Sequence, residues 1–288
     1  MADQLAVLVV GVDSMIGGAL ASAWSERGAH VIGTTRRAVA AGPWIHLDVS
    51  SPAEPRFRFS RTPELAYLCA AVTNMERCEE DPAGTSRVNV QGTVGLARRL
   101  SCEGAWILFP SSNIVFDGNS PGRMAQDAVS PPAEYGRQKA RAEAEILSLG
   151  NSAVIRMGKV VGRSTGPFAG WAQSLRQGVS IEAFTDKVCA PLSLGRTAQL
   201  MVTMGERRLA GTFQACARRD ITYEEAARFL ARRLGASEAL VRPVLGRDRG
   251  IRSSFLPAHT TLDASALVAS VDWTPPDPEA ELLAGLGL

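Results

Sequence analysis

The 288-residue sequence lacks the residues and segments that mark several classes of protein. Its three histidines are scattered along the chain, and we expect no metal site. Its five cysteines form no C-x-x-C pair, which favours reduced thiols in a cytoplasmic protein. No apolar run approaches the ~20 residues that cross a bilayer, and the chain begins with a strand pattern instead of a signal peptide, so we expect no membrane association. The formal net charge of +2 and the dispersed basic residues predict no nucleic-acid partner.

The first residues do carry the pattern of a strand, a glycine turn, a helix and a second strand. Leu5–Val10 is an apolar run typical of a strand buried on both faces, and His30–Thr34 is a second strand. Glycines in the turn would let backbone amides approach a pyrophosphate at the start of the helix. An ordinary tight turn between strand and helix is the alternative. The residues that we predict to bind a dinucleotide here are Gly11, Ser14, Met15, Ile16 and Gly17.

The end of the second strand indicates which dinucleotide binds. An acidic residue at this point would hydrogen-bond a ribose 2′-hydroxyl, whereas arginine accommodates a 2′-phosphate. The sequence has Arg36 and Arg37 here and no acid nearby. Because guanidinium and phosphate match in charge and geometry, we predict NADPH as the cofactor, with NADH as the second choice. Two solvated loop arginines would give the same pattern.

Tyr135 and Lys139 are four residues apart in a predicted helix, and therefore lie on one face of it. A free tyrosine loses its proton near pH ~10, and a neighbouring ammonium would lower that pKa. Tyr135 could then exchange a proton with a bound hydroxyl or carbonyl group. Ser112 follows a predicted strand and could hold the same oxygen atom. By itself the Tyr-x-x-x-Lys spacing more often marks a solvated helix face.

Alternating strands and helices continue to about residue 160 and predict an α/β fold with a Rossmann-type doubly wound parallel sheet. The alternation then loosens. We assign residues 1–160 to an NADP-binding domain and 161–288 to a smaller C-terminal substrate-binding lobe, interleaved with late elements of the sheet. Further predicted strands are Leu65–Cys69, Trp106–Phe109, Ala153–Arg156, Ile181–Phe184 and Thr212–Ala215. Further predicted helices cover 84–101, 135–149, 170–177, 194–205 and 222–234.

Several short motifs occur in the order found in one family. They are Gly11 with Gly17, Ala70–Thr73, Cys78–Pro82, Val88–Thr93, Ser111–Gly118 and Tyr135–Lys139. With these motifs the chain resembles the extended short-chain dehydrogenase/reductases, and within them the dTDP-4-dehydrorhamnose reductases and related sugar-nucleotide reductases. The resemblance covers nearly the whole chain. It implies an NADPH-dependent oxidoreductase of polysaccharide biosynthesis that reduces a keto group on a nucleotide-linked deoxysugar.

The resemblance also implies roles for single residues. Tyr135 would donate the proton, Lys139 would bind the nicotinamide ribose and lower the pKa of the tyrosine, and Ser112 would orient the keto oxygen. Asp48 would hold the adenine amino group, although it could equally cap the turn at Ser50. The other implied positions are Val49, Ala70 and Ala71 for the cofactor, and Thr73, Asn113 and Lys159 for the substrate.

The chain departs from the family pattern at a few of these positions. Ser14 replaces a glycine of the nucleotide turn, and Asp13 brings a negative charge beside it. Asn113 and Ile114 replace an aspartate and a tyrosine. Lys159 stands where the rhamnose enzymes have a sugar-facing tryptophan. It therefore predicts an anionic group on the substrate, or else a lysine that extends to solvent over the edge of the cleft.

Two other functions share this family pattern. One is a non-catalytic regulatory subunit such as the β subunit of methionine adenosyltransferase, against which the retention of Ser112, Tyr135 and Lys139 argues. The other is a nucleotide-sugar epimerase or dehydratase. Dehydratases usually add an Asp-Glu pair beside the serine, and epimerases retain NAD, which Arg36 and Arg37 disfavour. The expected partner is a nucleotide-sugar substrate, and the resemblance allows a homodimer.

Overall fold

The computed structural model describes residues 4–37, 44–51, 59, 61–164 and 166–288. The strands are β1 (Ala6–Val10), β2 (His30–Thr35), β3 (Ile45–His46), β4 (Leu65–Leu68), β5 (Trp106–Ser112), β6 (Ser152–Met157), β7 (Val160–Val161), β8 (Ile181–Phe184), β9 (Val188–Cys189), β10 (Leu192–Ser193), β11 (Gly211–Ala215), β12 (Ile221–Thr222) and β13 (Val241–Val244). The α-helices are α1 (Met15–Glu26), α2 (Met75–Glu80), α3 (Pro82–Ser86), α4 (Thr93–Cys102), α5 (Glu134–Leu147), α6 (Gly166–Arg176), α7 (Leu194–Glu206), α8 (Tyr223–Arg233), α9 (Ser265–Ser270) and α10 (Pro278–Leu286). A π-helical turn spans Arg87–Gly92, and short 3₁₀ turns span Asn113–Val115, Glu238–Leu240, Arg247–Arg249 and Ser253–Phe255.

A seven-stranded sheet has the order β3-β2-β1-β4-β5-β6-β11, in which the strand order reverses at β1. β1 pairs in parallel with both β2 and β4, so that Val10 lies opposite Thr34 on one side and Leu68 on the other. β3 and β5 continue the parallel pairing outward. This is the doubly wound arrangement in which ligands bind at the carboxyl ends of the strands beside the reversal. The fold class predicted from the sequence is confirmed.

The chain divides into two compact units. The first unit comprises Met1–Val115, Pro131–Arg156 and Thr197–Phe213. The second unit comprises Phe116–Ser130, Met157–Arg196 and Gln214–Leu288. The first unit contains the large sheet apart from the last residues of β6 and β11, and the second contains the two-stranded sheets β10–β7, β12–β9 and β13–β8. The assignment of a cofactor-binding role to residues 1–160 and a substrate-binding role to 161–288 stays a prediction.

Each unit has its own hydrophobic core. In the first unit, Tyr67 on β4 lies between Trp24 and Trp106, with ring centroids 6.2 and 6.1 Å away. Its hydroxyl donates to the Met201 carbonyl of α7. In the second unit, the buried rings of Phe168 and Tyr223 pack 5.2 Å apart, so α6 and α8 share an aromatic core.

The helix predicted over 84–101 is divided in three, as α3, the π turn and α4. The Asp81 carboxylate caps α3 by accepting from the Gly84 amide at 2.8 Å. At the end of the π turn, Gly92 packs against the Val49 carbonyl, so that a β-carbon on Gly92 would be 1.7 Å from the Val49 oxygen. The turn is wider than an α-helical turn, and the Thr93 hydroxyl donates to the Val88 carbonyl, five residues earlier. Hydrophobic spacing alone does not show such a turn, because it changes the register by only one residue.

Candidate active site

A cavity of about 420 Å³ lies at the carboxyl ends of β1, β2 and β4 in the first unit. Ligands of doubly wound sheets bind at this edge. The residues that line the cavity are Gly11, Asp13, Ser14, Thr34, Thr35, Arg36, Arg37, Leu47, Asp48, Val49, Ser50, Ala70, Ala71, Val72, Arg77, Asp81, Gly84, Arg87 and Val88. Eight of the predicted cofactor residues are among them: Gly11, Ser14, Arg36, Arg37, Asp48, Val49, Ala70 and Ala71.

The glycine turn forms one wall of the cavity. Gly11 has a φ of +85°, and a β-carbon there would lie 2.9 Å from the Ala70 Cα atom. Gly17 is equally constrained, since its β-carbon would lie 2.2 Å from the Gly11 carbonyl oxygen. Ser14, which replaces the family glycine, folds back into the turn: its hydroxyl donates to the Gly11 carbonyl and accepts from the Gly17 amide, at 2.8 and 3.0 Å. The serine thereby caps α1.

Met15 and Ile16 begin α1 beside Gly17, and none of these three residues lines the cavity. Met15 and Ile16 are half-buried, and Gly17 is buried. A role for them in cofactor binding therefore rests on the backbone at the start of the helix, where amides point outward. It stays a prediction.

Four exposed arginines border the cavity: Arg36, Arg37, Arg77 and Arg87. The negative charge of Asp13, which departs from the family pattern, is partly compensated, because the Thr35 hydroxyl donates to its carboxylate and the Arg37 guanidinium is 3.9 Å away. Sequence reasoning missed Arg77 and Arg87. Neither belongs to a recognisable motif, and only the fold brings α2 and the π turn to the strand ends.

Asp48 caps the turn at Ser50, and its predicted contact with the adenine amino group stays a prediction. Its carboxylate accepts from the Ser50 amide at 2.8 Å and from the Ser50 hydroxyl at 2.7 Å, so it caps the turn. These hydrogen bonds, helped by the charge of Arg36, lower the pKa of Asp48 below its usual value. It also lines the cavity. A glycine cradle, two alanines at a strand end and a rim of guanidinium groups together fit a phosphorylated dinucleotide.

Helix α5 carries Tyr135 and Lys139, both buried. The Lys139 ammonium donates to the Pro110 carbonyl of β5 at 2.8 Å and lies 4.3 Å from the centre of the Phe109 ring. The same ammonium is 5.8 Å from the centre of the Tyr135 ring. The lysine therefore joins α5 to the last residues of β5, the strand that ends at Ser112.

A second contact joins α5 to the 3₁₀ turn that follows Ser112. A β-carbon on Gly136 would lie 2.3 Å from the Ile114 carbonyl oxygen, so the helix approaches the 3₁₀ turn as closely as backbone allows. Ser112 thus lies between two chain positions, 110 and 114, that both touch α5. Its hydroxyl donates to Asn113 Oδ1 at 3.3 Å and accepts from the Ile114 amide at 3.4 Å. The segment that contains Ser112 and the helix that carries Tyr135 and Lys139 are therefore in contact.

The pKa of Tyr135 moves in the opposite direction to the one expected from the sequence. Burial raises the pKa of Tyr135 well above its usual value, and the charge of Lys139 does not offset this. Burial also lowers the pKa of Lys139 to about 8, with Glu143 acting in the other direction. The physical reason is that both groups are removed from water, and the ammonium is directed to Pro110. Tyr135 consequently holds its proton at neutral pH.

A buried polar network holds α5 from behind. Asn89 in the π turn donates to Gln138 Oε1 at 2.8 Å, and Gln138 donates to the Thr85 hydroxyl at 2.9 Å. Further along the helix, Glu143 forms a buried salt bridge with Arg156 on β6 at 2.8 Å. These contacts position α5 along its axis and around it. Apart from the motif that contains Asn89, no local sequence pattern selects these residues.

The predicted substrate residues are less closely grouped. Asn113 is half-buried beside Ser112, and Thr73 is exposed in the loop after β4 and does not line the cavity. Lys159 belongs to the second unit, where it is exposed just after β6. A substrate role for these three residues stays a prediction.

The parallel sheet, the glycine turn with its cavity and the set of Ser112, Tyr135 and Lys139 define a dinucleotide-binding protein of the short-chain dehydrogenase/reductase type. Comparison with known families identifies the family. The chain belongs to the RmlD substrate binding domain family, whose model matches residues 5–284. The family resemblance inferred from the motifs is confirmed.

Individual relatives have related names. The chain is 25% identical to a probable low-salt glycan biosynthesis reductase, Agl14, of Haloferax volcanii, over 77% of this chain and 76% of that protein. It is 27% identical to a dTDP-4-dehydrorhamnose reductase of Streptomyces griseus, over 90% and 85% respectively. The methionine adenosyltransferase 2 β subunit of Bos taurus is 29% identical over 52% of this chain and 46% of that protein. Among solved structures, the dTDP-4-dehydrorhamnose reductase of Bacillus anthracis with NADP has a TM-score of 0.85 at 17% identity, over 98% of this chain and 99% of that one.

Proposed function

We propose that this protein is an NADPH-dependent reductase of a keto group on a nucleotide-linked deoxysugar, with dTDP-4-dehydrorhamnose as the reference substrate. The first unit holds the cofactor and the second contributes the binding site for the sugar nucleotide. The observation that carries the proposal is that α5 contacts the chain on both sides of Ser112. Lys139 donates to the Pro110 carbonyl of β5, and Gly136 packs against the Ile114 carbonyl of the 3₁₀ turn.

The reaction divides among these residues as follows. The hydride for the keto carbon would come from NADPH when it is bound. Tyr135 donates its proton to the keto oxygen, since a phenol with a pKa of 10 or above is protonated at neutral pH. The Ser112 hydroxyl donates a hydrogen bond to the same oxygen and orients it. Lys139 uses one of its three N–H groups on Pro110 and has two left for ribose hydroxyls.

The cofactor preference follows from the arginine rim of the cavity. A charge-assisted contact with a 2′-phosphate should make NADPH bind tighter than NADH by about 1–3 kcal/mol. Fluorescence titration of Arg36→Ala with Arg37→Ala should bring the two affinities together, and Arg98→Ala, an exposed arginine of α4 outside the cavity, is the matched control. Equal affinity of the unchanged protein for both cofactors would contradict the role of the rim.

The reductase proposal is tested with a panel of nucleotide-linked keto-deoxysugars, by following the loss of NADPH absorbance. We expect turnover with at least one dTDP- or UDP-linked 4-keto sugar, and none with Tyr135→Phe. Conversion of a nucleotide sugar without net NADPH loss would identify an epimerase or dehydratase. Absence of turnover throughout, with NADPH still bound, would favour the regulatory-subunit alternative.

A cytoplasmic location and a homodimer belong to the same proposal. No helix in the described part of the chain is long and apolar enough to cross a membrane. Cell fractionation would test the location, and light scattering on the purified protein would test the dimer.

A further inference from the structure

The acidic motif Cys78–Pro82 has no assigned part in the proposed reaction, although it contacts the start of α5. The motif spans the end of α2 and the start of α3 in the first unit. Asp81 caps α3, and the exposed Glu80 side chain makes no hydrogen bond or salt bridge in the described part of the chain. Glu79 is half-buried, and its carboxylate accepts from the Glu134 amide at 2.6 Å. The motif is thereby joined to the first residue of α5.

The start of α5 has no cap of its own. The residue before it is Ala133, which is buried and has no side-chain acceptor. The first amides of a helix lack partners within the helix, and a buried start without a cap would leave them unsatisfied. The Glu79 carboxylate provides an acceptor for the first amide from another helix, and its negative charge suits the positive end of the helix dipole. Glu79 thus takes the place of the capping side chain that Ala133 cannot supply.

A second contact between the motif and α5 lies one turn further along the helix. Gln138 is fully buried, and its side-chain amide donates to the Pro82 carbonyl at 3.2 Å in addition to the Thr85 hydroxyl. Residues four apart lie on one face of a helix, so Gln138 and Glu134 present the same face to the motif. The two contacts therefore flank Tyr135 in the chain.

The face of α5 that carries Tyr135 lies between two faces that are both in contact with other segments. Successive helical residues are about 100° apart around the axis. The face that contacts the motif is therefore on one side of Tyr135, and Gly136, which packs against the Ile114 carbonyl, is on the other. The Gly136 contact limits how closely α5 approaches the 3₁₀ turn, and the Glu79 hydrogen bond holds the start of the helix on the opposite side.

We propose that Glu79 is a positioning residue for Tyr135, which holds the first turn of α5 so that the phenol stays in place for proton transfer. The inference rests on the proposed function, in which that phenol is the proton donor. Further along, α5 has other buried contacts, such as the Glu143–Arg156 salt bridge, and Glu79 does not line the cofactor cavity. Loss of the Glu79 contact should therefore move the first turn, while the rest of the helix and the cavity stay formed.

The position of the phenol can be measured without turnover. The chain has three tyrosines, so protein labelled with 3-fluorotyrosine should give a small set of fluorine NMR signals, and Tyr135→Phe assigns the signal of Tyr135. Glu79→Ala should shift or broaden this signal and leave the other two unchanged. Glu79→Gln keeps an acceptor oxygen and should restore it. Glu80→Ala removes the neighbouring charge of the same motif and is the matched control, in which no signal should move.

Steady-state kinetics with NADPH and a keto sugar give the second measurement. Glu79→Ala should lower kcat by about 10- to 100-fold, because a small displacement of a reacting group is enough for such a loss. KM and the affinity for NADPH should stay nearly unchanged, since the variant keeps the cavity. Glu79→Gln should recover most of kcat, and Glu80→Ala should have the kcat of the unchanged protein.

The two measurements separate the role of Glu79 from the reductase proposal. An unmoved Tyr135 signal in Glu79→Ala would overturn the positioning role even if keto sugars are reduced, and so would a moved signal with unchanged kcat. Failure of Glu79→Gln to restore the signal would overturn the hydrogen bond as its basis. If the signal moves and is restored as expected but the unchanged protein reduces no keto sugar, the positioning of Tyr135 by Glu79 stands and the proposed reaction fails.

Discussion

The two lysines of the second unit are placed differently from two buried cations of the first unit. In the first unit, Lys139 and Arg156 are buried, and each has a partner, the Pro110 carbonyl and the Glu143 carboxylate. In the second unit, Lys159 is exposed, Lys187 is half-buried, and among the described residues neither forms a salt bridge. A buried charge that loses its partner destabilises the fold, whereas a solvated one does not. Charge changes at Lys139 and Arg156 should therefore alter chemistry and stability together, and those at Lys159 and Lys187 should leave stability nearly unchanged.

The largest effect is expected for Tyr135→Phe. The change removes the proton donor and keeps the ring, so packing in the first unit is preserved. Turnover of a keto sugar should fall about 10²- to 10⁴-fold, the usual contribution of a general acid, with NADPH affinity unchanged. Steady-state kinetics beside a cofactor titration measure both. Near-normal turnover would remove Tyr135 from the reaction.

Arg156→Met should give the largest loss of stability. It leaves the buried Glu143 carboxylate without its partner and should lower the free energy of unfolding by about 3–5 kcal/mol. Chemical denaturation measures this. Glu143→Leu combined with Arg156→Met removes both charges and should recover most of the loss. Lys159→Met in the second unit should stay within about 0.5 kcal/mol, as an exposed substitution does. Equal losses in the two units would contradict the comparison.

The pH dependence of stability should carry the signature of Lys139. Its pKa is about 8 in the folded protein, against the usual 10.5. Below pH 8 both folded and unfolded states are protonated, and the full cost of burying the charge is present. As pH rises from 8 towards 10.5 only the unfolded state still binds the proton, so folding stability should increase, by about 2–3 kcal/mol at most. The difference between the unchanged protein and Lys139→Met, measured by denaturation at pH 7 to 10, isolates this group, and a flat difference would contradict the burial of its charge.

The smallest expected effect tests the contact that positions the catalytic helix. Gly136→Ala places a methyl group 2.3 Å from the Ile114 carbonyl oxygen and should cost about 1–3 kcal/mol as the helix shifts. Gly95→Ala, in helix α4 of the same unit with open space at its β-carbon, should instead stabilise by about 0.5–1 kcal/mol. Gly136→Ala should also lower turnover more than NADPH affinity. Equal stability of the two variants would show that the helix does not depend on this approach.

Local patterns in the sequence were enough for much of this molecule. Local patterns involve neighbours within a few residues, as in the buried strands, the glycines at 11 and 17 and the helical spacing of Tyr135 and Lys139. The fold class and the family inferred from these patterns are confirmed. Arg77 and Arg87 could not be selected in this way, because the cavity that they border exists only after α2 and the π turn fold against the strand ends. The sequence predicts a lowered pKa for Tyr135, whereas the pKa is raised. The spacing of Tyr135 and Lys139 indicates a nearby cation, but it does not show that the phenol is buried.

The π turn at Arg87–Gly92 has a consequence for how this chain can change during evolution. Its residue Asn89 accepts from the Val72 amide and donates to the Val72 carbonyl, at 2.8 and 2.9 Å, as a neighbouring β-strand would. A π turn holds about one residue more than an α turn, so deleting a residue here would restore an ordinary helix and rotate Asn89 by roughly 100° away from Val72. The cavity wall at Val72 would lose its support. Exposed positions in the turn, such as Gln91, can accept other side chains, but the segment cannot accept a different length.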